Sequence, residues 1–180
     1  MTMRVRVAVV SLVLLVLAGC TGVPAGVTPV GDFDAERYLG QWYEIARLDH
    51  RFERGLTRIS ATYTRRRDGG INVINRGFNA ADGEWREARG RAYFLGDPKV
   101  ASLKVTFFWP FYGGYHVIAL DRTGYQYALV SGPSRSYLWI LAREPRLPQD
   151  TLNSLIKIAR DDGFDTDALI FVDQDGGAPH

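Results

Sequence analysis

Few side chains in this sequence of 180 residues have the types and spacing that covalent chemistry requires. Cys20 is the only cysteine, and the chain has no Gly-x-Ser-x-Gly elbow and no glycine-rich phosphate loop. His50, His116 and His180 are isolated, and none belongs to an i, i+4 pair that would bind a metal. We therefore predict a protein that is not an enzyme, with no catalytic residue, metal or cofactor. His116, alone in a predicted strand, is expected to be a hydrogen-bonded wall residue.

The balance of charges argues against a second class of function, the binding of nucleic acid. The chain carries 22 Lys and Arg against 20 Asp and Glu, but Arg4 and Arg6 belong to an N-terminal leader that contains no acid. The remainder is therefore neutral overall. Its one tight basic run, at 65–67, is too short to form a duplex-binding surface. We predict no nucleic-acid partner.

The leader, residues 1–19, is typical of a secretory signal peptide. Arg4 and Arg6 precede an apolar run, 7–18, that is interrupted only by Ser11. A helix that spans a bilayer needs about 20 apolar residues, so this run is too short to remain as an anchor. We predict that residues 1–19 are removed.

Cys20 ends the sequence Leu17-Ala18-Gly19-Cys20, which resembles the lipobox of bacterial lipoproteins. The resemblance implies cleavage before Cys20, acylation of its sulfur and amine, and attachment to a membrane through this N-terminal lipid anchor. Thr21 follows in place of aspartate, which by the same resemblance favours the outer membrane, and we expect its periplasmic face. Residues 20–31 would then be a lipidated N terminus and flexible tether. An ordinary signal peptide with a coincidental cysteine is the alternative.

Short β-prone runs separated by turn residues follow from residue 32 onward, a spacing typical of an all-β barrel or sandwich. A helix is predicted from Pro148 to Asp161, and a last short strand is predicted at 168–172. The eight longer runs are 41–49, 58–66, 70–78, 84–95, 100–108, 114–121, 125–131 and 136–143.

The first and eighth runs favour a closed barrel because neither has a polar face. In the first, Trp42 and Glu44 share one side while Tyr43 and Ile45 share the other. The apolar stripe of the predicted helix could cover the outer sides of both strands if they are neighbours. That arrangement removes the sheet edges and brings Trp42 and Arg143 together at one end, the floor. The opposite end, the mouth, would consist of the loops 49–57, 79–83, 109–113 and 132–135.

Short motifs at both ends of this pattern resemble the lipocalin signature. Gly40, Gln41 and Trp42 begin the first strand, and Arg143 ends the eighth. In lipocalins such an arginine packs across the tryptophan ring and plugs the closed end. Asp121 occupies the place of the aspartate in the family's second motif, although the threonine and tyrosine that flank it there are replaced. The resemblance implies an eight-stranded up-and-down antiparallel β-barrel with a C-terminal α-helix packed on the outside.

Longer stretches are similar to the bacterial outer-membrane lipocalins, relatives of apolipoprotein D. They lie at 38–47, 107–115 and 136–141, and the likeness extends over about residues 32–172. Lipocalins of this type are thought to bind fatty acids or lysophospholipids, and some form dimers. The resemblance therefore implies a lipid as the partner, and it leaves a homodimer open.

An apolar lining is predicted for the inward-facing positions of such a barrel, and it suits an alkyl chain. Trp42 and Arg143 determine which alternate side chains of the first and eighth strands face inward. For every other position, packing in the core or the outer wall is the alternative. The predicted lining residues are Ala46, Leu48, Tyr63, Tyr93, Leu103, Val105, Phe107, Tyr115, Val117, Trp139 and Leu141.

Polar and aromatic residues near the two ends of the barrel have alternative interpretations. Arg51 and Arg54 at the mouth either bind the carboxylate or phosphate of a lipid or remain solvated. Strict alternation places the Glu44 side chain on the lumen side, where a buried carboxylate is costly unless it has a partner. We therefore favour a hydrogen-bond network at the level of the floor over a role for Glu44 in ligand selection. The six aromatic residues at 107–115 either pack inside their loop or contact a membrane or second subunit.

These observations predict a membrane-anchored lipid-binding protein that stores or transports fatty acids or lysophospholipids in the cell envelope. A structural envelope lipoprotein without cargo and an enzyme on the same scaffold are the alternatives, and the scarcity of histidine disfavours a tetrapyrrole cargo. The predicted segments are a signal peptide at 1–19, a lipidated N terminus and tether at 20–31, a barrel with its helix at 32–175 and a tail at 176–180.

Overall fold

Eight antiparallel strands form a closed up-and-down barrel, which confirms the predicted fold class. The computed structural model describes residues 21–175, so the predicted signal peptide, Cys20 and the tail at 176–180 lie outside the described residues. Helices α1, Ala35–Tyr38, and α2, Gln149–Asp161, flank the barrel, and a 3₁₀ turn, Thr166–Ala168, and strand β9, Ile170–Phe171, complete it. The barrel strands are β1 Gly40–Arg47, β2 Leu56–Arg65, β3 Ile71–Asn79, β4 Glu84–Phe94, β5 Ser102–Phe108, β6 Phe111–Leu120, β7 Tyr127–Ser131 and β8 Leu138–Ala142.

Strand β1 closes the barrel because it pairs along both of its edges. One edge pairs with β2, where Trp42 lies opposite Ala61, and the other pairs with β8, where Tyr43 lies opposite Ala142. The pairing with β2 ends at Tyr43, and β9 then pairs with the mouth half of β1. The first and eighth strands are therefore neighbours, as the sequence predicts, and the hydrogen-bond ladder is continuous around the barrel.

Arg143 covers Trp42 at the floor. The guanidinium carbon lies 4.0 Å from the centre of the indole, and Trp42 is fully buried. The same guanidinium donates hydrogen bonds to the backbone carbonyl oxygens of Arg37 at 2.7 Å, Gln41 at 2.8 Å and Tyr125 at 3.2 Å. Arg143 therefore joins α1, β1 and the segment before β7 while it seals the ring from water.

Gly40 and Asp121 shape the backbone around this floor. Gly40 has a φ of +97°, which L side chains rarely adopt, and a Cβ there would lie 3.2 Å from a guanidinium nitrogen of Arg143. The Asp121 carboxylate accepts hydrogen bonds from the backbone N–H groups of Thr123 at 3.2 Å and Gly124 at 3.1 Å. Asp121 therefore fixes the turn between β6 and β7.

Helix α2 packs on the outside of the barrel, as predicted. Its Leu155 and Ala159 are buried in a cluster with Ile45, Leu138 and Ile140 from β1 and β8. This outer cluster is separate from the interior cluster that surrounds Trp42. Within residues 21–175, neither this helix nor any other has the length and apolar character needed to cross a membrane.

The segment before α1 lies against the barrel wall, where the sequence predicts a flexible tether. Val27 is buried in the outer cluster. The Val30 N–H donates to the Val117 carbonyl oxygen at 2.9 Å, and the Ala101 N–H donates to the Val30 carbonyl oxygen at 2.9 Å. The Gly22 carbonyl oxygen lies 3.0 Å from the imidazole Nε2 of His116. The chain is therefore held along β6 from about residue 22 onward.

Substitution of Arg143 by alanine removes the cover of Trp42 and leaves three backbone carbonyl oxygens without their donor. We expect Arg143→Ala to lower the free energy of unfolding by about 1–4 kcal/mol, measured by denaturant titration. Arg146→Ala is the control, because its exposed side chain pairs with the exposed carboxylate of Asp175. A change below about 0.5 kcal/mol is expected for that control. Equal stability of Arg143→Ala and the wild type would contradict the sealing role.

Candidate functional site

A cavity of about 120 Å³ lies inside the barrel. Its wall consists mainly of apolar and aromatic side chains from the barrel strands, joined by Phe33 and Tyr38 from the segment before β1 and by Glu53 from the loop after it. Side chains therefore leave part of the interior unfilled. A barrel of eight strands has the width to enclose one small ligand in such a space.

Seven of the predicted lining residues border this cavity. Strand β5 contributes three of them because its alternate side chains face inward. The other four come from β2, β6 and β8, where the predicted alternation also holds. The seven are Tyr63, Leu103, Val105, Phe107, Tyr115, Trp139 and Leu141.

Ala46 and Leu48 lie outside the cavity, so their predicted inward orientation is wrong. Both are buried in the outer cluster beneath α2. The register of β1 against β8 shifts between Glu44 and Ala46, which is the signature of a β-bulge. A bulge adds one residue to one strand and reverses the alternation beyond it. Glu44 therefore faces the cavity, whereas Ala46 and Leu48, which follow the bulge, face the helix.

Tyr93 and Val117 also lie away from the cavity. Tyr93 points outward and donates its hydroxyl hydrogen to Asp68 at 3.2 Å, while its neighbour Ala92 borders the cavity instead. The inward-facing positions of β4 are therefore offset by one residue from the predicted ones. The mouth half of this strand is exposed on both faces, so its sequence shows no alternation that could have set them. Val117 is fully buried in the interior cluster with Trp42 but does not border the cavity.

Several lining residues were not identified from the sequence. Phe33 and Tyr38 precede the barrel, and α1 directs Tyr38 inward; the signal for this helix is Asp34, whose carboxylate caps its N-terminal N–H groups. The lining positions of β3 alternate and could have been identified from the sequence, whereas in β2 three consecutive residues border the cavity, next to a shift in its register against β3. These residues are Ile59, Ser60, Ala61, Ile71, Val73 and Asn75, together with Ala92 and Gly114.

Arg51 and Arg54 do not border the cavity. Arg54 is exposed and pairs with the Asp49 carboxylate, with Nη2 2.6 Å from Oδ2. The guanidinium of Arg51, also exposed, lies 5.2 Å from the centre of the Phe52 ring. Both side chains are therefore exposed at the mouth, and Arg54 is paired with Asp49.

Three tyrosine hydroxyls meet inside the barrel. The Tyr115 hydroxyl lies 2.8 Å from that of Tyr38 and 3.0 Å from that of Tyr63. Burial raises the pKa of all three phenols, so each remains a neutral hydroxyl at physiological pH. The cluster places polar atoms within the apolar wall without placing a charge there.

A group of ionisable residues extends from the cavity wall toward the mouth. Arg47 is buried, and its Nε lies 3.7 Å from Oε1 of Glu44 and 3.8 Å from Oε2 of Glu53. The Glu53 carboxylate lies 3.0 Å from Nε2 of His50 and accepts a hydrogen bond from the Trp139 indole at 3.2 Å. The predicted network around Glu44 therefore exists, but it joins the wall to the β1–β2 loop at the mouth and not to the floor.

Glu44 and Glu53 differ in their affinity for a proton. Burial and the neighbouring Glu53 carboxylate raise the pKa of Glu44 well above its ordinary value, and Arg47 offsets only part of this effect. Burial also raises the pKa of Glu53, but the His50 ring and the Trp139 indole outweigh it, so this pKa is lowered overall. As pH falls, the pair therefore takes up its first proton on Glu44, while Glu53 keeps its carboxylate to lower pH.

His116 is a hydrogen-bonded wall residue, as expected. Its Nδ1 lies 2.9 Å from the Ser102 hydroxyl, and its Nε2 lies 3.0 Å from the Gly22 carbonyl oxygen. Burial lowers its pKa, which favours the neutral ring. Among residues 21–175, no three or more His, Cys, Asp or Glu side chains are grouped so that they could hold a metal ion.

The hairpin between β5 and β6 presents aromatic side chains to solvent. Phe108, Trp109 and Phe111 are 76%, 74% and 75% exposed, respectively. Tyr112 lies beside this hairpin, with its ring centre 4.8 Å from the Lys104 amine. The alternative in which this hairpin buries its own rings is therefore wrong, and three large apolar surfaces remain free for contact.

Stability should depend on pH through Glu44. Because its folded pKa exceeds the ordinary value of 4.5, its contribution to stability is complete below that pH and is lost as pH rises toward the folded pKa. Glutamine does not titrate and therefore lacks this loss. We expect the free energy of unfolding of Glu44→Gln, relative to that of the wild type, to increase in denaturant titrations as pH rises above 4.5. A difference that is independent of pH would contradict the raised pKa of Glu44.

Comparison with known proteins agrees with this geometry. The family model described as a lipocalin-like domain matches residues 33–174. The chain is 57% identical over 153 residues to outer membrane lipoprotein Blc of Escherichia coli (strain K12), which covers 85% of this chain and 86% of that protein. It is 33% identical over 165 residues to apolipoprotein D of Macaca fascicularis, which covers 88% and 84%. Insecticyanin from the tobacco hornworm Manduca sexta shares the fold, with a TM-score of 0.68, 22% identity and coverage of 84% and 86%. The chain therefore belongs to the lipocalin family.

Proposed function

We propose that this protein is a membrane-anchored lipocalin that stores or transports fatty acids or lysophospholipids in the cell envelope. The observation that carries the proposal is the apolar cavity within the closed barrel. Removing apolar surface from water contributes about 25 cal/mol per Å², so an alkyl chain gains free energy by entering such a space. A lipid with a single acyl chain matches one enclosed cavity better than a lipid with two chains.

The cavity supports this function over a structural lipoprotein with a filled barrel. Protein interiors are normally close-packed, and an unfilled space forfeits dispersion contacts along its wall. Side chains such as Leu103 and Val105 line the cavity without filling it. A bound alkyl chain would restore the contacts that the empty interior lacks.

A position at the outer membrane follows from the N-terminal sequence and from the relatives. The lipobox ends at Cys20, and several relatives are named outer membrane lipoproteins, including those of Escherichia coli and Vibrio cholerae. Acylation of Cys20 would attach the barrel to the membrane, and we propose the periplasmic face. The exposed hairpin of Phe108, Trp109 and Phe111 is the surface that we propose for contact with a second copy of the chain or with the bilayer.

A tryptophan placed in the cavity wall should block lipid binding. We expect Val105→Trp to weaken the binding of a fluorescent fatty acid by about tenfold or more, measured by fluorescence titration and by displacement with octadecanoic acid. Lys104→Trp is the matched control, because residue 104 is adjacent to 105 on β5 and faces outward. Equal affinity of Val105→Trp and Lys104→Trp, with both barrels folded by circular dichroism, would place binding elsewhere.

Removal of the lipidated cysteine should release the protein from the membrane. We expect Cys20→Ala, expressed with its own leader, to move from the membrane fraction to the soluble envelope fraction. Metabolic labelling with radioactive palmitate should mark the wild type and not the variant. Palmitate incorporation that persists in Cys20→Ala would overturn the assignment of the anchor.

A further inference from the structure

The wall of the barrel has a gap between β4 and β5 on the side of the mouth. Strand β4 pairs with β3 from Glu84 to Ala92, but it pairs with β5 only from Arg91 to Phe94. The last pair in the ladder between β4 and β5 is Arg91 and Thr106. Within the described residues, the two strands therefore separate at this level and remain apart toward the mouth.

The Phe107 ring lies in this gap and separates two spaces. One is the apolar cavity, and the other is a recess of about 210 Å³ on the outer side of β4 and β5, which we call the outer recess. Gly90 makes room for the ring, because a Cβ at residue 90 would lie 2.9 Å from two ring carbons of Phe107. Phe107 borders both spaces, so a ligand that occupied both would pass beside this ring.

Two arginines and no acidic residue border the outer recess. Arg89 and Arg91 alternate to the same face of β4, about 7 Å apart along the strand. Nη2 of Arg89 lies 2.7 Å from Oε1 of Glu87, which offsets part of its charge. No carboxylate among residues 21–175 pairs with Arg91, which is exposed. The outer recess therefore carries a net positive charge.

The apolar cavity is a poor place for an anionic head group. Two acidic side chains, Glu44 and Glu53, border it, and no lysine or arginine among the described residues does. Arg47 lies close to both acids but does not itself border the cavity. A carboxylate or phosphate in this space would face the Glu53 carboxylate and lose its hydration. The acyl chain and the head group of an anionic lipid therefore need different sites.

The outer recess has the donors that such a head group needs. A guanidinium donates two parallel, charge-assisted hydrogen bonds to a carboxylate or a phosphate. Arg91 is available for this contact because no carboxylate of the described chain holds it, and Arg89 stands beside it on the same face of β4. An ammonium group would meet like charge here, and a neutral head group would leave both guanidinium groups unused.

Building on the proposed function, we propose that the outer recess binds the anionic head group of the lipid while its acyl chain passes beside Phe107 into the apolar cavity. Arg91 is the main contact, and Arg89 supplies the second set of donors. A fatty-acid carboxylate and a lysophospholipid phosphate share the required chemistry, which is a pair of anionic oxygens. Because both arginines are exposed, salt screens this attraction and weakens it.

The test compares dodecanoic acid, 1-dodecanoyl-lysophosphatidylglycerol and dodecan-1-ol, each as a competitor of the neutral fluorescent probe N-phenyl-1-naphthylamine. We expect Arg91→Gln to weaken the two anionic lipids by about 3- to 10-fold and to leave dodecan-1-ol unchanged. A loss for one anion alone would support the subsite and identify its head group. Wild-type affinity of Arg91→Gln for both anions would overturn the subsite.

Control variants separate a local contact from the total charge of the protein. Arg67→Gln removes the same charge from the exposed turn between β2 and β3, at the opposite end of the barrel, and should retain wild-type affinities. Arg51→Gln and Arg54→Gln test the mouth. Loss of anion affinity in either mouth variant, without a loss in Arg91→Gln, would place the head group at the mouth and overturn the proposal.

Removal of the Glu87 carboxylate should have the opposite effect. Glu87→Gln frees Arg89 from its partner, so we expect both anions to bind about 2- to 3-fold more tightly. Glu84→Gln is the matched control, because residue 84 alternates to the other face of β4 and is exposed. Equal affinities of Glu87→Gln and Glu84→Gln for the anions would exclude Arg89 from the subsite.

The same data separate this subsite from the proposed function. Displacement of the probe by all three ligands, with equal affinities in the wild type and Arg91→Gln, would overturn the subsite and leave lipid binding intact. Failure of all three ligands to displace the probe from the wild type would overturn both.

Discussion

Strand β1 forms backbone hydrogen bonds with β2 along one edge and with β8 along the other, and the remainder of the structure depends on this double pairing. If β1 paired only with β2, the sheet would have free edges and an interior open to water along one side. Pairing with β8 closes that side, and the guanidinium of Arg143 over Trp42 closes the floor. The buried interior exists only because both closures hold. The cavity and the raised pKa of Glu44 both follow from it.

The β-bulge in β1 gives this strand two functions. Before the bulge, Trp42 and Glu44 face the interior, where one seals the floor and the other lines the cavity. After it, Ala46 faces the helix and contributes to the outer cluster. Arg47 is buried beside the acid pair, so the bulge also brings a cation to the two carboxyl groups. One extra residue thus separates a cavity wall from a helix-packing surface within eight residues.

The fold was more predictable from the sequence than the site was. Alternation, turn residues and the two-faced first and eighth strands favoured a closed barrel with an outer helix, and the resemblance to lipocalins implied the eight-stranded order and the packing of Arg143 on Trp42. Alternation also placed the lining residues of β5, because that strand is regular. It failed for Ala46 because a bulge has no sequence signature of its own, and for Tyr93 because one half of β4 is exposed on both faces. The contact of His50 with Glu53 depends on the conformation of a loop, which no periodic pattern encodes.

Native mass spectrometry of the full-length protein, purified from the envelope of its own host, tests the central claim most directly. The claim is that the closed interior holds one lipid. The account predicts a native mass that exceeds the denatured mass of the same acylated chain by one monoacyl lipid, which organic extraction then releases. Identical native and denatured masses, from protein that also fails to bind a fluorescent fatty acid, would contradict it.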